Sequence, residues 1–117
     1  MNSPPVTMTD RAGSSDDEQK VYQVEFDDEA LEEWDALDGS IRKQFLKKLQ
    51  KLKHNPYSPG NALTGGLAGY YKIKLRDVGY RLVYSIEEDR IVIFVLAVGR
   101  REDSEVYADA LSRQNWP

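Results

Sequence analysis

Lys72, Lys74 and Arg76 occupy alternate positions of Tyr71-Lys72-Ile73-Lys74-Leu75-Arg76, and Arg81 follows shortly after. Alternate residues of an extended chain project from one face, so these cations point the same way. Arg100 and Arg101 stand together at the end of an apolar run, and Tyr107 lies a little beyond. Such groups bind oxyanions. A guanidinium holds two phosphate oxygens in a planar fork, and an ammonium acts as a point charge. Lysine is a poor base when isolated, but neighbouring cations disfavour its charged form and lower its pKa toward a useful value. The bland alternative is the polar face of a half-buried antiparallel sheet. That face would ordinarily mix signs, and gathered like charges destabilise a fold. Periodicity therefore favours phosphate binding and leaves catalysis open.

Other catalytic kits are missing. There is no cysteine, hence no disulfide and no thiolate nucleophile or ligand. The sole histidine, His54, ends a basic helical stretch, where a cation suits the helix dipole. One histidine without cysteine makes no structural zinc site, so no metal is expected. No phosphate-binding loop or dinucleotide fingerprint occurs, and no cofactor is expected. Gly65-Gly66-Leu67-Ala68-Gly69 precedes a strand rather than a helix and reads as a flexible loop.

The chain has 117 residues, enough for one domain, and a net charge of −4. Distribution matters more than the sum. Residues 21–38 contain eight acids and no base, whereas 41–54 contain six bases and no acid. An acidic balance thus hides basic segments able to steer a phosphate backbone. Solvated helix faces of mixed sign would explain part of this pattern. No run is long and apolar enough to span a membrane, and the N-terminus lacks a secretory apolar stretch. The protein reads as soluble and cytoplasmic.

Several elements must position these groups. Residues 1–20 are polar and acidic and read as a disordered tail. Val21 to Phe26 alternates as a strand. Asp27 or Asp28 caps a helix carrying Ala30, Leu31, Trp34 and Leu37 at helical spacing. Asp38-Gly39-Ser40 breaks it and caps a second helix with the stripe Ile41, Phe45, Leu49 and Leu52, stopped by Asn55-Pro56. Residues 55–69 form a loop. Tyr70 to Arg76, Tyr80 to Ile86 and Ile91 to Gly99 read as strands of an antiparallel meander. Asp103 or Ser104 caps a short helix through Val106, Tyr107, Ala110 and Leu111. The order β-α-α-β-β-β-α predicts an α+β fold: an antiparallel-dominated sheet of about four strands on a helical hairpin, spanning residues 21–113, with 114–117 as its C-terminal end. Pairing across the Asp77-Val78-Gly79 turn brings Lys74 and Arg76 near Arg81.

Four words in this order carry a resemblance. They are Tyr71-Lys72-Ile73-Lys74-Leu75-Arg76, Gly79-Tyr80-Arg81-Leu82-Val83-Tyr84, Val98-Gly99-Arg100-Arg101-Glu102 and Ser104-Glu105-Val106-Tyr107. Together they resemble the RelE branch of the RelE/ParE toxin superfamily. The resemblance implies the toxin of a type II toxin-antitoxin system. Such a toxin is a metal-independent endoribonuclease that cuts mRNA in the ribosomal A site by 2′-hydroxyl attack. It implies Lys74 as general base, Lys72 on the phosphate, Arg81 on the transition-state charge, Arg101 at the leaving oxygen and Tyr107 stacked on a nucleotide. Arg76 and Arg100 would contact phosphate, and Lys47, Lys48 and Lys51 would face ribosomal RNA. Partners implied are a RelB-like antitoxin and the ribosome with its mRNA, with DNA reached only through the antitoxin complex. Asp103 departs from the family, which often carries a base there. Read from the residues alone, Tyr107 is a core anchor near Leu111, and Arg81 and Arg101 are salt-bridge partners of Glu87, Glu88 or Glu102. The runners-up are a ParE-like DNA gyrase inhibitor, which would lack this constellation, and an inactive antitoxin-binding module.

Overall fold

The computed structural model describes residues 20–100 and 105–113. β1 (Gln23–Phe26) leads into α1 (Asp28–Asp35) and α2 (Gly39–Leu52). β2 (Tyr71–Leu75), β3 (Tyr80–Glu87), β4 (Val92–Arg100) and α3 (Glu105–Arg113) follow. The expected tail falls, except for Lys20, outside the described residues, as do residues 114–117. The Asp103 or Ser104 cap of α3 lies outside them too.

Helix starts are set by local chemistry. Asp27 accepts from the backbone N–H of Glu29 (3.0 Å) and Ala30 (3.2 Å), filling orphan donors at the start of α1. Asp38 does the same for α2 through Ser40 N–H at 3.0 Å. Arg42, one of the six bases of residues 41–54, is spent on structure. Its Nη1 donates to the carbonyls of Leu37 (2.6 Å) and Asp35 (3.2 Å), closing the C-terminal end of α1.

The sheet runs β1-β4-β3-β2, with β1 parallel to β4 and the other pairs antiparallel. The hairpin α1–α2 covers one face. Ala30, Trp34, Ile41, Phe45 and Leu49 pack there on Ile73, Leu75, Leu82, Tyr84, Ile93, Val95 and Val98. The other face is not open along its whole length. α3 buries Val106 and Ala110 against Val83, Leu96, Ala97 and Leu67. This second core forms because β4 carries a bulge. Val83 pairs with Ala97 but Tyr84 pairs with Val95, so Leu96 is an extra residue, and Leu96 and Ala97 both reach the α3 side.

Some expected contacts do not form. Leu31 and Leu111 are each 44% exposed and contribute no core. An eight-residue helix offers only a narrow buried stripe, here Ala30 and Trp34. Residues 55–69 are more ordered than a plain loop. They hold 3-10 turns at Pro59–Asn61 and Gly65–Leu67, the second burying Leu67 beneath α3. Ala62 pairs antiparallel with Tyr71, extending the β2 edge. Among the described residues, no helix is long and apolar enough to cross a membrane.

Candidate active site

β2 and β3 set the register of the cations. Lys74 pairs directly with Arg81, and Arg81 pairs with Gly99 on β4, so the three share one sheet face. Lys72 lies two residues back on that face, opposite Val83. The connection between β2 and β3 is tight because Gly79 adopts φ +72°, and its N–H bonds to the Leu75 carbonyl at 2.8 Å. Arg76 stands in this turn, exposed, rather than on the strand.

Arg81 is held by α3. Its Nη1 donates to the Tyr107 hydroxyl at 2.5 Å, and its guanidinium lies 5.5 Å from the Tyr107 ring centroid. Among the described residues, its Nε is buried without a hydrogen-bond partner. The residue as a whole is half-buried, so its guanidinium is held in place while part of it stays open to an oxyanion. The helix approaches closely because Gly99 has no side chain. A Cβ there would sit 3.5 Å from Val106 Cβ, and anything larger would push α3 away.

The acidic alternatives for Arg81 are otherwise engaged. Glu87 pairs with Arg90 at 2.5 Å. Glu88 accepts from Tyr22 at 3.0 Å and from Tyr57, and meets Lys20 at 3.6 Å. Hydrogen bonding to Glu88, then burial, holds the Tyr57 phenol up at about 12. Tyr107 is half-buried, flanking the second core while its hydroxyl reaches Arg81.

Beside these strands lies a cleft of about 330 Å³. Lys48 and Lys51 of α2 form one wall, Lys72, Lys74 and Arg76 the other, and Ser58 and Asn61 the rim. Its floor is Leu52, Ile73 and Tyr84, and among the described residues no carboxylate lines it. Lys47 is exposed on α2 and does not line this cleft. Arg100 is turned to the other face. It pairs across the strands with Tyr80 and stacks over that ring at 5.7 Å. Arg101 and Glu102 lie outside the described residues. Among the described residues, no group of carboxylates and histidine is arranged to hold a metal ion.

Three features of this region were not readable in the sequence. Ser58 and Asn61 reach the cleft only because residues 58–62 fold along β2. The contact between Arg81 and Tyr107 joins residues far apart in the chain. The last feature is Arg113, 9% exposed, which lies 3.0 Å from both Glu29 and Glu33 and 3.8 Å from Asp27. Burial works against its charge, but Glu33, Asp109 and Glu29 outweigh that and raise its pKa. Part of the acidic run at 21–38 is thereby the counter-charge of one buried arginine.

Fold and cation arrangement together define a small α+β protein with lysines and arginines gathered along β2 and α2. The family model for the ParE toxin of type II toxin-antitoxin systems matches residues 24–105. The mRNA interferase toxin RelE of Escherichia coli K12 is 46% identical over 93 residues, covering 80% of this chain and 97% of that protein. The solved structure of an alanine mutant of E. coli toxin RelE in the free state has a TM-score of 0.73 at 44% identity, covering 80% of this chain and 98% of that one. The same toxin bound to a peptide of its antitoxin RelB gives 0.67 at 44% identity, covering 77% and 94%. The chain belongs to the RelE/ParE family of type II toxins, on its RelE branch.

Proposed function

We propose that this chain is the toxin of a type II toxin-antitoxin system and a ribosome-dependent endoribonuclease that cuts mRNA in the A site. The observation that carries the reading is Arg81, fixed by Tyr107 and paired across the strands with Lys74. Lys74 takes the proton of the 2′-hydroxyl. The 2′-oxygen bonds to the adjacent phosphorus and the bond to the 5′-oxygen breaks, leaving a cyclic phosphate and a free 5′-hydroxyl. Lys72 and Arg76 hold the phosphate. Arg81 carries the charge that develops on it, with its guanidinium already oriented. Arg101 protonates the leaving 5′-oxygen, or stabilises it until it is protonated by water, and Tyr107 orients a nucleotide by stacking. Holding the 2′-hydroxyl in line is the remaining contribution, which the ribosome can share.

The partners follow from the same reading. The exposed Lys47, with Lys48 and Lys51, faces ribosomal RNA. A RelB-like antitoxin docks on the toxin, and DNA is contacted only through that complex. The edge strand β1 and an apolar cleft of about 520 Å³ between β1, α1 and α2, with Val21 and Leu46 exposed, are the surface offered to it. The competing gyrase-inhibitor reading draws on the ParE name of the family model. The basic constellation and the identity to RelE favour the ribonuclease.

Primer-extension mapping on purified ribosomes tests this, with wild type beside Lys74→Ala and Arg101→Ala. Cuts within A-site codons that need ribosomes and disappear in both variants are expected. A folded, toxic protein that makes no cuts would move the assignment to gyrase inhibition. A protein neither toxic nor cutting would be an antitoxin-binding module.

A further inference from the structure

We propose that Asn61, braced by Ser58, reads the base of the nucleotide whose phosphate Lys72 and Arg76 hold, with adenine preferred. The inference deepens the ribonuclease reading and takes its context from it.

The cations on the two walls bind phosphate, and phosphate contacts carry no sequence information. A base must be read by side chains that offer both a donor and an acceptor. The neutral polar side chains on the lining are Ser58, Asn61 and Tyr84. Tyr84 is fully buried and its hydroxyl donates to the Pro56 carbonyl at 2.8 Å, so it is already spent. Asn61 and Ser58 remain, both half-buried at the rim.

Their placement is fixed from two sides. The Asn61 N–H bonds to the Ser58 carbonyl at 2.8 Å, and Ala62 pairs with Tyr71, which sets Asn61 beside Lys72. The Asn61 side chain is fixed as well, because Nδ2 donates to Ser58 Oγ at 3.0 Å. That bond uses one amide hydrogen and leaves the second, together with Oδ1. An amide presenting one donor and one acceptor matches the N6 amine and N7 of adenine, the pairing asparagine commonly makes. Preorganisation by Ser58 lowers the ordering cost of that contact. The alternative role, bracing the 3-10 turn alone, makes a different prediction. It would weaken binding of every sequence equally.

The test is fluorescence anisotropy at low salt with four single-stranded RNA pentamers, 2′-O-methylated to block cleavage and differing only in the central base. Wild type is expected to bind the adenine pentamer about fivefold to tenfold more tightly than the weakest. Asn61→Ala should flatten that preference while the weakest pentamer keeps its affinity. Ser58→Ala should reduce the preference without abolishing it. A flat wild-type profile, no binding of any pentamer, or a preference that survives Asn61→Ala overturns the inference. An equal loss across all pentamers, with a lower melting temperature, assigns Asn61 to bracing and also overturns it. A different preferred base that vanishes in Asn61→Ala keeps Asn61 as the reader and overturns the choice of adenine. The readout needs no cleavage, so failure of the ribonuclease reading would be seen separately, as pentamer discrimination by a protein that makes no cuts on ribosomes.

Discussion

At the scale of single residues, half-buried Arg81 and buried Arg113 serve opposite ends. Arg81 has one committed donor, on Tyr107, and a buried Nε with none among the described residues. Arg113 is surrounded by carboxylates and also donates to the Leu96 carbonyl at 2.6 Å. Arg81→Ala should therefore leave the fold intact and lower cleavage about a hundredfold to a thousandfold, the usual loss for one oriented transition-state donor. Single-turnover cleavage beside a thermal melt reads both. Near-normal cutting by that variant would remove Arg81 from the reaction. Arg113→Met should cost about 3 kcal/mol in urea unfolding, because Glu33 and Asp27, both half-buried, lose their shared counter-ion. A loss near zero would mean that those carboxylates find water instead.

Elements decide which of these residues meet. Beyond the end of β1, the edge of β4 is closed by side chains rather than by a strand. Glu33 accepts from Val98 N–H at 3.1 Å, and Arg113 donates to the Leu96 carbonyl. α3 is then held over the sheet by its small-residue contact at Gly99. Gly99→Leu should displace α3, separate Tyr107 from Arg81, and lower activity more than it lowers the melting temperature. A crystal structure of the variant with the Arg81–Tyr107 contact intact would refute this account. A second junction binds the start of β1 to the turn after β3 and to residues 55–58, through Glu88, Tyr22 and Tyr57. The hydrogen bonds from Tyr57 and Tyr22 lower the Glu88 pKa, so its contribution is present above the ordinary carboxylate pKa and is lost as pH falls through the depressed value. The Tyr57 pKa is raised to about 12, so its contribution is full below pH ~10, the free-phenol value, and is lost as pH rises through the raised one. Thermal melts across pH should show Tyr57→Phe flattening both limbs. Unchanged limbs would assign the acid and alkaline losses to other groups.

For the whole molecule, a net charge of −4 coexists with a cleft whose charged lining, among the described residues, is entirely cationic. The separation along the chain becomes a separation in space. Acids of α1 gather on Arg113, while lysines of α2 face those of β2. Removal of residues 1–19 should leave the melting temperature unchanged, because the described residues from Tyr22 onward already pack both cores. A large fall would show that this segment contributes to the fold.

Periodicity and caps alone determined much of this. The alternation of Tyr71 to Arg76 placed Lys72 and Lys74 on one face, and the pair Asp27-Asp28 and the stretch Asp38-Gly39-Ser40 marked the two helix starts, because strand pleat and helix N-termini are governed by neighbouring residues. The order of elements followed from the same signals. The register at the far end of β4 did not. Simple alternation puts Arg100 on the face of Phe94 and Leu96, toward α3. The bulge at Leu96 reverses that, so Gly99 faces Arg81 and Arg100 stacks on Tyr80. A bulge is decided by what both faces of the strand must pack against, here Val98 beneath the hairpin and Ala97 beneath α3. The approach of Asn61 to Lys72, the contact of Tyr107 with Arg81 and the burial of Arg113 were settled in the same way. Each depends on residues distant in the chain, whose meeting is fixed by packing rather than by any local preference.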